Sequence, residues 1–299
     1  MFRLLSKESN IFSTLVYPGL LLLVVAAFNI FNFSNLYSIS TLITFAGITL
    51  GFFCFNTIGL TYHTHLPLFL YTFFVISFYP GSLDIGLAVA LLTNSFLILL
   101  LTSTNDEFRK KSYLLVGSIL AITYIFLPVT WPMTLFVILQ IFATSNRIGL
   151  HLFRLFFGIM LIAISYFSLM YFLNYQSWDD AYFPFYGFSF HLDFTALVFL
   201  SPVVLMLLYA LWDHFRHYNK KSPVSKFKYT FLLLFLIAQL ITVILYMGSS
   251  YEYLLLLALP VSIMLSRVLR FADRYWKQEL GLWIIIGSLA AFKIATTLN

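Results

Sequence analysis

SYLLVGSILAITYIFLPVTWPMTLFVILQIFATSNR, residues 112–147, consists of two apolar runs separated only by PVTWP at residues 128–132. Proline lacks an amide hydrogen and fixes φ, so two prolines this close together predict the end of one helix and the start of the next. Lys111 precedes the stretch and Arg147 closes it, so both of its ends are basic. The stretch is therefore predicted to be a helical hairpin that returns to the side from which it started.

The composition of the whole chain indicates that lipid surrounds this hairpin. Hydrophobic residues make up 61% of the 299 residues and charged residues only 9%, whereas soluble domains carry about 25% charged residues. There is one cysteine, Cys54, and we find no Gly-rich phosphate loop and no cysteine spacing typical of a metal site. We therefore expect a membrane protein without nucleic-acid partner, cofactor, metal or intramolecular disulfide.

The apolar runs predict an all-α, polytopic transmembrane helical bundle that forms a single domain over residues 1–299. One crossing of a bilayer needs about 17 to 22 apolar residues. Eleven runs approach that length, although ten crossings also fit the shorter ones: 11–31, 37–56, 64–79, 83–103, 112–128, 131–145, 152–173, 195–211, 228–247, 252–269 and 280–298.

The distribution of basic residues predicts the orientation. Cytoplasmic loops retain Lys and Arg, and exported loops lose them. With eleven crossings and the N-terminus inside, 16 of the 17 basic residues fall inside, and only Lys293 falls outside. We therefore expect a multi-pass protein of a bacterial inner membrane, with the N-terminus in and the C-terminus out.

Few polar side chains interrupt the predicted helices. Asn94, Gln140 and Gln239 are interpreted as interhelical hydrogen-bonding residues, and the near absence of charge in the spans disfavours an ion-coupled carrier. Membrane di-iron enzymes gather about eight histidines on one face, whereas this chain has six in total. The histidines are interpreted as solvated loop residues, with a four-histidine iron site as the alternative.

A basic segment at residues 265–279 is the first candidate site. Four basic residues recur at helical spacing and are predicted to lie on one face of an amphipathic helix in the cytoplasmic interface: Arg267, Arg270, Arg274 and Lys277. Such a face binds anionic headgroups. It is either a topology anchor without lipid specificity or a contact site for a lipid phosphate, such as that of a polyprenyl lipid.

A predicted outer loop at residues 174–194 is the second candidate site, with nine aromatic residues. Its acid–base or cation-binding candidates are Asp179, Asp180, His191 and Asp193. Its candidates for stacking on sugars or another ligand are Trp178, Tyr182 and Tyr186. The alternative is an aromatic cap at the membrane interface. The predicted outer face has no arginine, which disfavours O-antigen polymerases and ligases, because these hold pyrophosphate with arginine.

Four phrases together resemble a known family: NTIGLTYHTHLPLFLYTFFVISFYP (56–80), LLTNSFLILLL (91–101), LAITYIFLPVTW (120–131) and LALPVSIMLSRVLRFADRYWKQEL (257–280). Their succession is similar to an uncharacterised family of multi-pass inner-membrane proteins of similar length from Gram-negative, gliding bacteria. The resemblance spans nearly the whole chain and implies a bundle of membrane helices. It implies no activity and no site residues.

These observations favour a non-catalytic scaffold, accessory subunit or lipid-associated component of the cell envelope. Its expected partners are membrane lipids, through anionic headgroups at the cytoplasmic face, and a further membrane protein. An enzyme or flippase acting on lipid-linked envelope glycan is the first alternative, and it requires Asp179 and Asp193 for function. A small-solute transporter is the second alternative, and it requires a hydrated central cavity.

Overall fold

The computed structural model of the chain describes residues 11–29, 35–58, 64–81, 83–103, 111–145, 147–176, 180–184, 194–272 and 274–298. These residues form eleven α-helices and no β-strand, so the predicted all-α fold is confirmed. The helices are α1 (Ile11–Asn29), α2 (Asn35–Ile58), α3 (His65–Phe78), α4 (Ile85–Leu101), α5 (Tyr113–Phe126), α6 (Trp131–Thr144), α7 (Ile148–Phe172), α8 (Phe194–Arg216), α9 (Pro223–Tyr246), α10 (Leu255–Phe271) and α11 (Tyr275–Leu298).

Six helices, α2 and α7 to α11, are long and apolar enough to cross a membrane. By contrast, α3, α5 and α6 have 14 residues each, which spans only about 21 Å of a hydrocarbon core roughly 30 Å thick. Most residues of α3 and α4 are buried against other helices. A helix that is surrounded by protein need not match the thickness of the bilayer.

The hairpin predicted within residues 112–147 is confirmed. Helix α5 ends at Phe126, a short 3-10 turn covers Pro128–Thr130, and α6 begins at Trp131. Pro132 lies in the first turn of α6, where a missing amide hydrogen costs no helical hydrogen bond. The Thr130 hydroxyl donates to the Leu127 carbonyl over 2.7 Å and closes the turn.

Helix α10 forms the centre of the bundle and packs against α3, α4, α8, α9 and α11. Its side chains are almost all buried from Leu255 to Leu269. Helices α2 and α4 run parallel, because Ser40 near the start of α2 bonds to Leu83, and Cys54 near its end bonds to Ser95. At the edge of the bundle, α7 packs mainly on α5 and buries few of its own residues.

The helix ends gather at two opposite ends of the bundle. At one end, which we name the basic end, the Lys228 ammonium at the start of α9 donates to the Ile58 carbonyl at the end of α2 over 2.9 Å. At the opposite end, the Lys293 ammonium of α11 donates to the Tyr79 carbonyl after α3 over 2.7 Å. Both lysines satisfy a carbonyl that has no partner within its own helix.

Candidate functional site

The basic segment at residues 265–279 is not one helix, so that part of the prediction is wrong. Helix α10 ends at Phe271, Ala272 is extended, and α11 begins at Tyr275. The Gln278 amide donates to the Arg270 and Ala272 carbonyls over 3.3 and 3.0 Å. These bonds satisfy carbonyls at the end of α10, so a break in the helix leaves them paired.

The break helps to form a cavity of about 550 Å³ at the basic end, between α8, α10 and α11, which we name the basic cavity. It is lined by Tyr209, Trp212, Asp213, Arg216, His217, Lys221, Arg267, Phe271, Ala272 and Lys277. Of the four basic residues predicted to share one face, Arg267 and Lys277 line it, and Arg270 and Arg274 do not. The cavity therefore combines two of the predicted residues with a second basic group, from the end of α8 and the connection to α9.

Aromatic rings orient both guanidinium groups of the basic cavity. Arg216 lies over the Trp212 ring, with 5.0 Å from Cζ to the ring centroid. Arg267 lies 5.1 Å from the Tyr229 centroid and 5.8 Å from the Phe271 centroid. Both terminal nitrogens of Arg267 donate to the Ser225 hydroxyl over 3.3 Å. Stacking on a ring fixes the plane of a guanidinium, and a guanidinium held in this way can bind phosphate or carboxylate.

The floor of the basic cavity is ordered by His214, which stacks on Tyr229 with 4.0 Å between centroids. The Lys221 ammonium donates to His214 Nδ1 over 3.0 Å and to the His214 carbonyl over 3.3 Å. Lys221 is thus held close to Arg267, and burial together with that positive charge lowers the pKa of Lys221. These contacts hold the Lys221 side chain in place.

A carboxylate and a histidine complete the lining of the basic cavity. His217 Nδ1 lies 2.8 Å from Asp213 Oδ1, one helical turn away. An imidazole that donates from Nδ1 to a carboxylate keeps its Nε2 as the basic nitrogen. In the described lining, this one carboxylate faces four arginine and lysine side chains.

The histidine prediction is wrong for two residues. His214 and His151 were interpreted as solvated, but both lie within helices and are buried. His151 packs against Tyr113 with 4.9 Å between ring centroids and hydrogen-bonds to Ser145. Among the residues that the structure describes, no three His, Cys, Asp or Glu side chains gather at one point.

The contribution of α8 was not predicted, because the apolar run of that helix ends at residue 211. The helix continues to Arg216, so Trp212 and Arg216 lie on consecutive turns at the basic end. The sequence does contain an indication that this helix continues: Tyr209 and Trp212 stand immediately before a basic run. Tyr and Trp in such positions are typical of the membrane–water boundary.

At the opposite end, residues 180–184 of the predicted outer loop are held against the helix ends. The Tyr124 hydroxyl donates to the Tyr182 carbonyl, and the Tyr182 and Tyr166 hydroxyls are 2.7 Å apart. The Tyr246 hydroxyl accepts from Trp131 Nε1 over 2.9 Å and lies 3.3 Å from the Pro184 carbonyl. These bonds connect the segment to α5, α6, α7 and α9.

Beneath residues 180–184 lies an apolar cavity of about 470 Å³ between α5, α6 and α7. Tyr182 lines it, while Asp180 is exposed at the start of a short 3-10 turn. The other candidates in the loop lie outside the described residues: Trp178, Asp179, Tyr186, His191 and Asp193.

The interpretation of three polar residues as interhelical bridges is wrong for two of them, Gln140 and Gln239, in the described part of the chain. Asn94, Gln140 and Gln239 are buried. The Asn94 amide nitrogen and both polar atoms of each glutamine side chain have no partner there. Burial of these amides without a hydrogen bond costs about 1–3 kcal/mol each, so they are not a source of stability in this arrangement.

Comparisons with known proteins complete the description of the chain. No characterised protein and no solved structure gave a significant match. Residues 1–298 match a family of unknown function, DUF6427, and the chain therefore belongs to that family.

Proposed function

We propose that the chain is a lipid-associated component of a bacterial inner membrane, and that it binds the phosphate of anionic lipids in the basic cavity at its cytoplasmic face. The observation that carries this proposal is the combination of Arg216, Lys221, Arg267 and Lys277 in one cavity with an aromatic rim. Basic residues near the membrane surface attract anionic headgroups, and aromatic residues settle at headgroup depth.

The exposure of the rim supports a lipid over a soluble ligand. Trp212 is 54% exposed and Phe271 is 58% exposed, although both are large and apolar. They lie on helices long and apolar enough to cross a membrane, so their exposed faces contact lipid when the helices are embedded. The cations behind them are then within reach of the headgroup of an adjacent lipid.

The role is proposed to be non-catalytic, with the protein acting as a scaffold or accessory subunit whose position depends on the lipids it binds. Affinity purification from native membranes tests this role. A stoichiometric partner protein together with retained anionic lipid is the expected result. Purified protein that turns over a lipid-linked glycan would instead establish the enzyme alternative.

A matched pair of double variants tests the binding site. Lys221→Gln with Arg267→Gln removes two cations of the basic cavity, while Lys226→Gln with Arg274→Gln removes one lysine and one arginine of the basic end that do not line it. At about 1 kcal/mol per basic residue, the first variant should bind anionic lipid about thirtyfold more weakly. Native mass spectrometry measures the bound lipid, and equal losses in the two variants would refute the site.

A further inference from the structure

Several charged side chains lie together in the lining of the basic cavity. Four side chains of the lining are arginine or lysine, and among the described residues of the lining Asp213 is the one carboxylate, 2.8 Å from His217. The lowered pKa of Lys221 reflects burial and repulsion from Arg267. A bound anion relieves this repulsion, and a second negative charge on the same group relieves more of it.

We propose that the basic cavity takes a lipid whose headgroup ends in a dianionic phosphate, as in a phosphomonoester or a diphosphate. This proposal rests on the proposed function, because it names the class of anionic lipid bound at the same site. A terminal phosphate presents three unsubstituted oxygens, and a phosphodiester presents two. A guanidinium fork can take two oxygens, and Lys221 and Lys277 line the same cavity as Arg216. A third unsubstituted oxygen therefore gives these cations one more acceptor than a diester does.

The shape of the site supports access from the bilayer. Tyr209 and Trp212 on α8 form one wall of the basic cavity, with 5.9 Å between ring centroids and an angle of 37° between the ring planes. Both rings are more than half exposed, and α8 buries little of its surface. A headgroup can therefore enter between α8 and α11 while its hydrocarbon tail stays in lipid along α8.

The test compares two anionic lipids that differ in phosphate charge. Full-length protein is equilibrated with mixed micelles of neutral detergent and phosphatidylcholine that contain either phosphatidic acid or phosphatidylglycerol with the same acyl chains. The phosphatidylglycerol fraction is doubled so that the micelle charges match, and native mass spectrometry counts bound lipid. We expect phosphatidic acid to bind about tenfold more tightly, since only its phosphate carries the second charge.

Two variants and a soluble competitor test whether the lipid binds in the basic cavity. Lys277→Gln should weaken phosphatidic acid binding about fivefold, whereas Arg274→Gln, on the same helix connection but outside the lining, should not. Size-exclusion profiles confirm that both variants fold. Inorganic pyrophosphate at equal concentration should not displace the lipid, because it lacks a tail.

Three contrary results distinguish failure of the dianionic-phosphate proposal from failure of the proposed function. Equal binding of the two lipids, still weakened by Lys277→Gln, would overturn the preference for a dianionic phosphate and leave the proposed function standing. Binding that is insensitive to Lys277→Gln and to the double variant of the basic cavity would overturn both. Displacement by pyrophosphate would show that the ligand is a soluble phosphate rather than a lipid.

Discussion

Gly117 and Gly158 allow α5 and α7 to approach at backbone distance, and an alanine at either position should force them apart. A Cβ added to Gly158 would lie 2.1 Å from the Leu114 carbonyl oxygen, and one added to Gly117 would lie 2.1 Å from the Leu155 carbonyl oxygen. Both obstacles are backbone atoms, which cannot change rotamer. Small residues are the usual means by which membrane helices reach such proximity.

The expected loss in the free energy of unfolding follows from this close approach of α5 and α7. A normal carbon–oxygen contact is about 3.3 Å, so the helices must separate by about 1.2 Å around the new methyl group. Overpacking of this kind costs about 1–3 kcal/mol, and we expect the upper end of that range because the backbone must move. Alanine regains about 0.5–1 kcal/mol of helix propensity over glycine. Gly158→Ala should therefore lower the free energy of unfolding by about 2 kcal/mol.

Gly149, also on α7, supplies the control, because a Cβ there meets nothing within 4 Å. Gly149→Ala should be neutral or stabilising when unfolding of the purified protein is followed by denaturant titration. The double variant with Gly117→Ala and Gly158→Ala should cost less than the sum of the single variants, since one separation accommodates both methyl groups. Stabilisation of Gly158→Ala to the level of Gly149→Ala would refute the close contact between α5 and α7.

Three further predictions concern the two ends of the bundle. Lys228→Met leaves the buried Ile58 carbonyl without its donor and should cost about 1–3 kcal/mol in the same denaturant titration, whereas Lys226→Met should have little effect. Tyr246→Phe removes the hydroxyl between Trp131 and residues 180–184, and should lower the melting temperature while Tyr171→Phe on exposed α7 does not. A periplasm-dependent phosphatase fused after residue 299 should be active, and the same reporter inserted after residue 222 inactive; the reverse would refute the proposed orientation.

Local patterns in the sequence were sufficient to predict the helices. The hairpin around Pro128 and Pro132 follows from proline chemistry and from basic residues at both of its ends, and the structure places the turn there. Helix ends at the basic end were predicted less well: α8, α9 and α11 each extend several residues beyond their apolar runs. A helix continues as long as its carbonyls find donors, and long basic side chains can reach water from the interface, so hydropathy alone underestimates its length.

The basic cavity could not be predicted, because its residues come from two parts of the sequence that only tertiary packing unites. Arg216 and Lys221 are about fifty residues from Arg267 and Lys277 in the sequence. The prediction that Arg267, Arg270 and Arg274 share one face requires one continuous helix. That requirement is not met, because the helix ends before Ala272. The spacing of residues predicts which side chains share a face only where the segment is a continuous helix.

The basic cavity lies between α8, which buries little of its apolar surface, and α10 at the centre of the bundle, so its arginines and lysines should respond differently to substitution. Arg267 extends from central α10, contacts two rings and donates to the Ser225 hydroxyl over 3.3 Å. Arg267→Gln should therefore lower both stability and lipid affinity. Lys277 is exposed at the start of α11, and Lys277→Gln should lower lipid affinity alone. Equal melting temperatures for the two variants would contradict the role of Arg267 in packing, because Arg267 contacts the buried Tyr229 ring and Lys277 is exposed.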